Sequence, residues 1–108
     1  AVMLGQWGLC PAFSTFFPWE DAVIPIRTDG SDIKGIIHDL KSQPERIAAI
    51  GRRNTGEALL RHDWIYRWEY IFKTAGFAPG EGTKARLAHL QRLSEMAFEA
   101  SLPTLKAG

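Results

Sequence analysis

Apolar positions follow two different rhythms along this chain, and the change comes near residue 31. Beyond it they recur at three- and four-residue spacing. Ile33, Ile36, Ile37 and Leu40 form one stripe, which predicts a helix over residues 32–43 with Ser31 as its N-cap. Ser42-Gln-Pro-Glu45 repeats a start signal, with proline in the first turn, where its missing N–H costs nothing. A second helix is expected over residues 44–61, with Ile47, Ile50 and Ala58 inward and Arg46, Arg52, Arg53 and Glu57 outward. Asp63 is placed to cap a third helix, on which Trp64, Ile65, Trp68, Ile71, Phe72 and Ala75 make a broad aromatic face before Gly76 ends it. A turn-rich linker over residues 77–83 leads to a fourth helix over 84–102, striped by Leu87, Leu90, Leu93 and Ala97. The last six residues, with Pro103, are expected to fray.

The first thirty residues lack that helical rhythm. Short apolar runs at 9–13 and 23–26, each bounded by turn or polar residues, suit buried strands of a parallel sheet. Residues 14–21 (STFFPWED) carry three aromatics and a proline, and read as a loop or single turn. Residues 1–5 open in mid-pattern, as the tail of a helix that begins upstream. The expected class is therefore α/β: two short parallel strands with about four amphipathic helices.

Composition narrows the function classes. With 45% hydrophobic and 23% charged residues, 108 residues are enough for a small packed domain and argue against disorder throughout. Thirteen basic against twelve acidic residues leave a net charge of +1, so no overall field draws the chain to nucleic acid or anionic lipid. One cysteine, Cys10, cannot form an internal disulfide, and His38, His62 and His89 do not stand at metal-ligand spacing from it. A reducing, cytoplasmic setting follows, with neither metal nor cofactor expected. The apolar residues 1–17 are interrupted by Gly5, Gly8 and Pro11, too broken for a membrane span.

Several side chains are candidates for chemistry, each with a plainer competitor. Cys10 lies in an apolar run, where a thiol is usually buried and inert. His62-Asp63 pairs a base with a carboxylate, but neighbours at a helix start point apart, and capping by Asp63 is favoured. Arg46, Arg52, Arg53, Arg61 and Arg67 could serve a phosphate, yet Glu45, Glu57, Asp63 and Glu69 lie among them and favour a solvated mixed-charge face. Trp64, Tyr66, Trp68, Tyr70 and Phe72 alternate in sequence, so a helix spreads the rings over more than one face, and those outside the core can form a contact surface. Gly5-Gln-Trp-Gly8 is no dinucleotide fingerprint, since it precedes a predicted strand.

The order of pieces, with Ser-Gln-Pro-Glu-Arg-Ile-Ala-Ala-Ile-Gly51 and Arg61-His-Asp-Trp-Ile-Tyr-Arg67, resembles the C-terminal stretch of the group-1-like glycosyltransferases related to the spore maturation protein CgeB. Pro44-Glu45, Ile47-Ala48, Gly51, His62 and Arg67 fall where that family has its Pro-Glu, Ile-Ala, Gly, His and Arg. The match covers residues 1–77. The resemblance implies the C-terminal end of a Rossmann-like, nucleotide-sugar-binding domain of the GT-B architecture over 1–77, followed by a linker and closing tail helix over 78–108. It implies sugar transfer from a nucleotide-sugar donor to an acceptor, without a metal. It also implies a donor-contacting glutamate and an acceptor domain upstream of Ala1, so the stretch alone is expected to be inactive, with no catalytic residue of its own.

Gly5, Gly8, Ser14 and Thr15 would lie at the donor edge, by a helix-to-strand turn and a strand's C-terminal end, with either glycine as the family's glycine. The equal competitor is that the glycines permit tight packing and the hydroxyls cap a turn. The alternative function is a helical protein–protein interaction module, using the aromatic helix face and tail helix on another protein or as a homo-oligomer.

Overall fold

A computed structural model of the chain describes residues 1–6 and 10–100. These residues form β1 (Leu4–Gly5), α1 (Pro11–Phe16), β2 (Ile24–Pro25), α2 (Ile33–Lys41), α3 (Pro44–Arg61), α4 (Trp64–Thr74) and α5 (Glu81–Glu99). They divide into two compact units, Ala1–Asn54 and Thr55–Ala100, with the boundary inside α3.

In the first unit, β1 and β2 pair in parallel, Leu4 opposite Ile24 and Gly5 opposite Pro25. Two short parallel strands are thus present, but the first lies at Leu4–Gly5 and not at 9–13. The expected helix tail over 1–5 is instead extended backbone whose carbonyls receive β2: Ile24 N–H donates to Met3 at 2.8 Å and Ile26 N–H to Gly5 at 2.9 Å. Leu9 lies outside the described residues, and Pro11 to Phe13 are helical, because Pro11 stands in the first turn of α1, where its fixed φ and missing N–H suit a helix start. Ser14, Thr15 and Phe16, expected in a loop, complete that helix.

The core of this unit is Ile24, Leu40 and Ile50, with Val2 and Ile36 packed against it. Ile36 and Leu40 are the i, i+4 row that α2 turns inward. Ile37 is rotated about 100° away and stays exposed. Helix α2 begins later than expected: Asp32 is its N-cap, and the Asp32 carboxylate receives the Arg27 N–H at 3.0 Å instead of capping. Ser31, the expected cap, donates its N–H to Asp29 at 3.0 Å. That hydrogen bond, more than the Ser31 hydroxyl, holds the Asp29 carboxyl below its ordinary range.

Helix α3 spans the expected residues, 44–61. The Ser42 hydroxyl, however, donates to the Asp39 carbonyl at 2.7 Å and so serves the end of α2. The inward arc of α3 is centred on Ile50 and Asn54, again an i, i+4 pair, which leaves Ile47 exposed at its edge.

The second unit is built on α4 and α5 with the last turns of α3. Asp63 caps α4 as expected, accepting the Ile65 N–H at 2.9 Å. Its other oxygen accepts from Arg86 at 2.7 Å. Gly76, at φ 85°, ends α4 by donating to the Lys73 carbonyl while Phe77 donates to that of Phe72. This double bond pattern needs a left-handed residue, which glycine adopts without cost. Helix α5 starts at Glu81, inside the expected linker, and ends at Glu99 with its stripe as predicted: Leu90 is buried, Leu87, Leu93 and Ala97 half-buried. Residues 101–108, including Leu102 and the predicted frayed end, lie outside the described residues.

Gly56 is the close-approach point of this unit. A Cβ there would fall 2.5 Å from the Phe98 ring, and the Ser94 hydroxyl donates to the Gly56 carbonyl at 3.0 Å. A helix-interior glycine costs up to about 1 kcal/mol relative to alanine, and the ring over this position accounts for its use.

Candidate functional site

Three places in the fold carry side chains with chemical capacity. The first is the donor edge read from the sequence. Gly5 sits in β1, where a Cβ would meet Val23 Cγ1 at 3.2 Å, so the missing side chain permits close packing within the sheet. Ser14 and Thr15 lie exposed on α1 and not at the C-terminal end of a strand. The Ser14 hydroxyl donates to the Pro11 carbonyl at 2.9 Å, a local helix bond. Among the described residues no hydrogen bond joins Gly5 to either hydroxyl. Gly8 lies outside the described residues.

The second place is the turn from Trp19 to Ala22, closed by the Ala22 N–H on the Trp19 carbonyl at 3.3 Å. Asn54 clamps both ends of this turn. Its carboxamide oxygen accepts the Trp19 indole N–H at 2.7 Å, and its nitrogen donates to the carbonyls of Ala22 at 3.3 Å and Ala1 at 3.1 Å. Trp19, Ala22 and Asn54 are all buried. A buried carboxamide is costly unless bonded, and three bonds here engage its oxygen and both of its donors.

Between the clamped ends, Asp21 takes φ 56°, a left-handed backbone that aspartate tolerates better than most residues. Glu20 and Asp21 project beside α3, Asp21 at 3.5 Å from Arg46 and Glu20 at 3.7 Å from Arg53. The four flank a hollow of about 120 Å³ floored by Ala49 and Ile50, and a neighbouring one of about 270 Å³ is lined by Trp19, Glu20, Asp21, Val23 and Pro25. Two guanidinium groups matched by two carboxylates leave no net charge for an anion. Solvent-exposed pairs of this length contribute little, about 0 to 1 kcal/mol each. The arrangement holds a turn in place. Among the described residues no cluster of three or more His, Cys, Asp or Glu could hold a metal ion.

Cys10, expected to be buried, is exposed at the N-cap of α1 and makes no side-chain capping bond there. Asn54, Gly56 and Ser94 carry contacts that the apolar pattern alone does not announce, but for Asn54 and Ser94 the sequence holds a signal. Asn54 stands four residues from Ile50, and Ser94 four from Leu90, so both polar residues occupy inward positions of apolar stripes.

The third place is α4. Trp64, Trp68, Ile71 and Phe72 lie within an arc of about 100° on this helix, and all four face solvent, with 66, 49, 48 and 39% of their surfaces open. The Trp68 and Phe72 rings stack at 5.6 Å, and the Arg67 guanidinium lies 4.8 Å from the Trp64 ring centroid. The opposite side of α4 holds the helix in its unit: the Tyr66 hydroxyl donates to the Leu59 carbonyl at 2.8 Å, and burial pushes that phenol above its ordinary pKa. The aromatic residues grouped as one face in the sequence thus include the outward face of the helix.

No family model, curated protein or solved structure matches this chain. Among the described residues, no helix is long and apolar enough to cross a membrane.

Proposed function

We propose that this chain is the C-terminal part of a nucleotide-sugar-dependent glycosyltransferase of the GT-B architecture, with residues 1–77 the end of its Rossmann-like donor domain. The observation that supports this reading is the parallel pairing of β1 with β2, followed by α2 and then by α3 over 44–61; the first strand of the pair lies at Leu4–Gly5 and not at 9–13, where the resemblance set it. Parallel strands need a crossover between them, and open α/β sheets take ligands outside the carboxyl ends of their strands. On this reading those ends are Gln6 after β1 and the turn from Arg27 to Asp32 after β2. The donor is a nucleotide sugar, its acceptor lies on another domain, and the setting is cytoplasmic. Residues 1–108 by themselves contribute binding surface and not catalysis.

Titration of the labelled chain with UDP, GDP and their sugar conjugates, followed by backbone amide shifts, tests this directly. Shifts centred on Gly5, Gln6 and residues 27–32, at the carboxyl ends of β1 and β2, are expected, and Ser14 and Thr15 on α1 are expected to stay unmoved. Silence at millimolar ligand, or shifts confined to residues 55–100, would remove the donor-edge assignment.

A second reading, a helical protein–protein interaction module, has its own observation: the outward apolar stripe of α4. Soluble proteins rarely leave a contiguous apolar patch of more than a few hundred Å² uncovered without a use for it.

A further inference from the structure

We infer that Asp29–Gly30 is a latent isoaspartate site, held unreactive by the turn between β2 and α2 and converted only when that turn opens. It is the one place in the sequence where an Asp or Asn precedes glycine. With no Cβ on the following residue, the backbone there bends most freely and its nitrogen reaches the aspartate side chain most easily. The conversion needs no partner. The Gly30 amide nitrogen gives up its proton and bonds to the side-chain carboxyl carbon of Asp29, and one carboxyl oxygen leaves as water. Water then opens the five-membered ring at either carbonyl. Opening at the original main-chain carbonyl routes the backbone through the side chain and lengthens it by a methylene.

The turn opposes the first step at both reacting groups. The nucleophile is occupied, because the Gly30 N–H donates to the Arg27 carbonyl at 3.0 Å. The electrophile is occupied as well: an Asp29 side-chain oxygen accepts the Ser31 N–H at 3.0 Å and lies 3.6 Å from the Arg27 Nε. The Ser31 bond favours the ionised carboxylate, which resists attack by nitrogen. From outside the reacting pair, both Asp32 oxygens accept the Arg27 N–H, at 3.0 and 3.1 Å, and close the turn.

The same bonds make conversion costly to the fold. The Gly30-to-Arg27 and Arg27-to-Asp32 bonds both span the link that changes, and Gly30 holds a left-handed φ of 69° within it. An added methylene breaks the register of both bonds. Helix α2, which starts at Ile33 with Asp32 as its N-cap, then loses its fixed entry.

Incubation of the 108-residue chain in warm, mildly acidic buffer, beside a free peptide of residues 25–35, tests this. Isoaspartate is located by peptide mapping and counted by enzymatic methyl transfer. Opening that breaks one or two hydrogen bonds should slow the folded chain by about tenfold or more relative to the peptide. Asp32→Ala, made in chain and peptide alike, should cut that ratio about fivefold with unchanged circular dichroism. Arg27→Ala keeps the backbone bonds and should leave the ratio within about twofold, since exposed ion pairs contribute little. Deuterium exchange of the Gly30 amide needs the same opening and should be slowed by the same factor in the unaltered chain, a readout that stands even where Asp32→Ala fails to fold. A chain that converts as fast as the peptide, a Gly30 amide that exchanges freely, or a folded Asp32→Ala chain with the wild-type ratio would each overturn the proposal. Isoaspartate that gathers first at another aspartate would overturn it too.

Discussion

Trp19 and the tryptophans of α4 show one residue type with opposite fates. Trp19 is 7% exposed and its indole N–H meets the Asn54 oxygen at 2.7 Å. Trp64 is 66% exposed, with Arg67 near its ring. An indole has a large apolar body and one donor, so burial is favourable only where the donor finds an acceptor. The first unit supplies one by placing a polar residue on the inward arc of α3. The second unit holds α4 through Tyr66 on the other side of the helix, its hydroxyl on the Leu59 carbonyl, which leaves the largest rings of α4 to whatever lies outside the unit.

The contrast breaks most sharply at Asn54. Asn54→Ala removes partners from the Trp19 N–H and from two carbonyls, and is expected to cost about 3 kcal/mol, read from urea denaturation. A loss below about 0.5 kcal/mol would mean that Trp19 is held by apolar contact alone.

Asp63→Ala should cost about 1 kcal/mol through loss of the cap. The Ile65 N–H, and after it Arg86, hold the Asp63 carboxyl below its ordinary value. A depressed carboxyl contributes its stability above the unfolded-state pKa, about 3.9, and loses it as pH falls through the folded value. The stability gap between wild type and Asp63→Asn should therefore be present at neutral pH and close in acid below about pH 4.

Ser94→Ala removes a buried hydrogen bond to the Gly56 carbonyl and should cost about 1 kcal/mol by the same denaturation. Smallest of all, Trp68→Ser should change the stability of the dilute single chain by less than about 0.5 kcal/mol, against the large loss at the buried Trp19 site.

What could be read from the sequence follows where local signals and tertiary demand agree. Helix α3 over 44–61, the Asp63 cap and the Gly76 stop each rest on bonds between near neighbours, and each is found. The strand expected at 9–13 failed because an apolar run of that length fits either element, and Pro11 decides for a helix. Leu4–Gly5 became the strand through pairing with Ile24–Pro25, a partner about twenty residues away that no local pattern announces. The same distance hid Asn54: its inward position was visible in the stripe, its partners at Trp19, Ala22 and Ala1 were not. For the donor edge, Ser14 and Thr15 were placed by that misassigned strand and lie on α1.

Indole N–H exchange, followed with 15N-labelled tryptophan over a dilution series, tests the central contrast most directly. The Trp19 indole proton is expected to be protected at every concentration and to lose that protection in Asn54→Ala, while those of Trp64 and Trp68 exchange freely at the lowest concentration. A Trp19 proton that exchanges as a free indole, or Trp64 and Trp68 protons as protected as that of Trp19 at the highest dilution, would contradict that contrast.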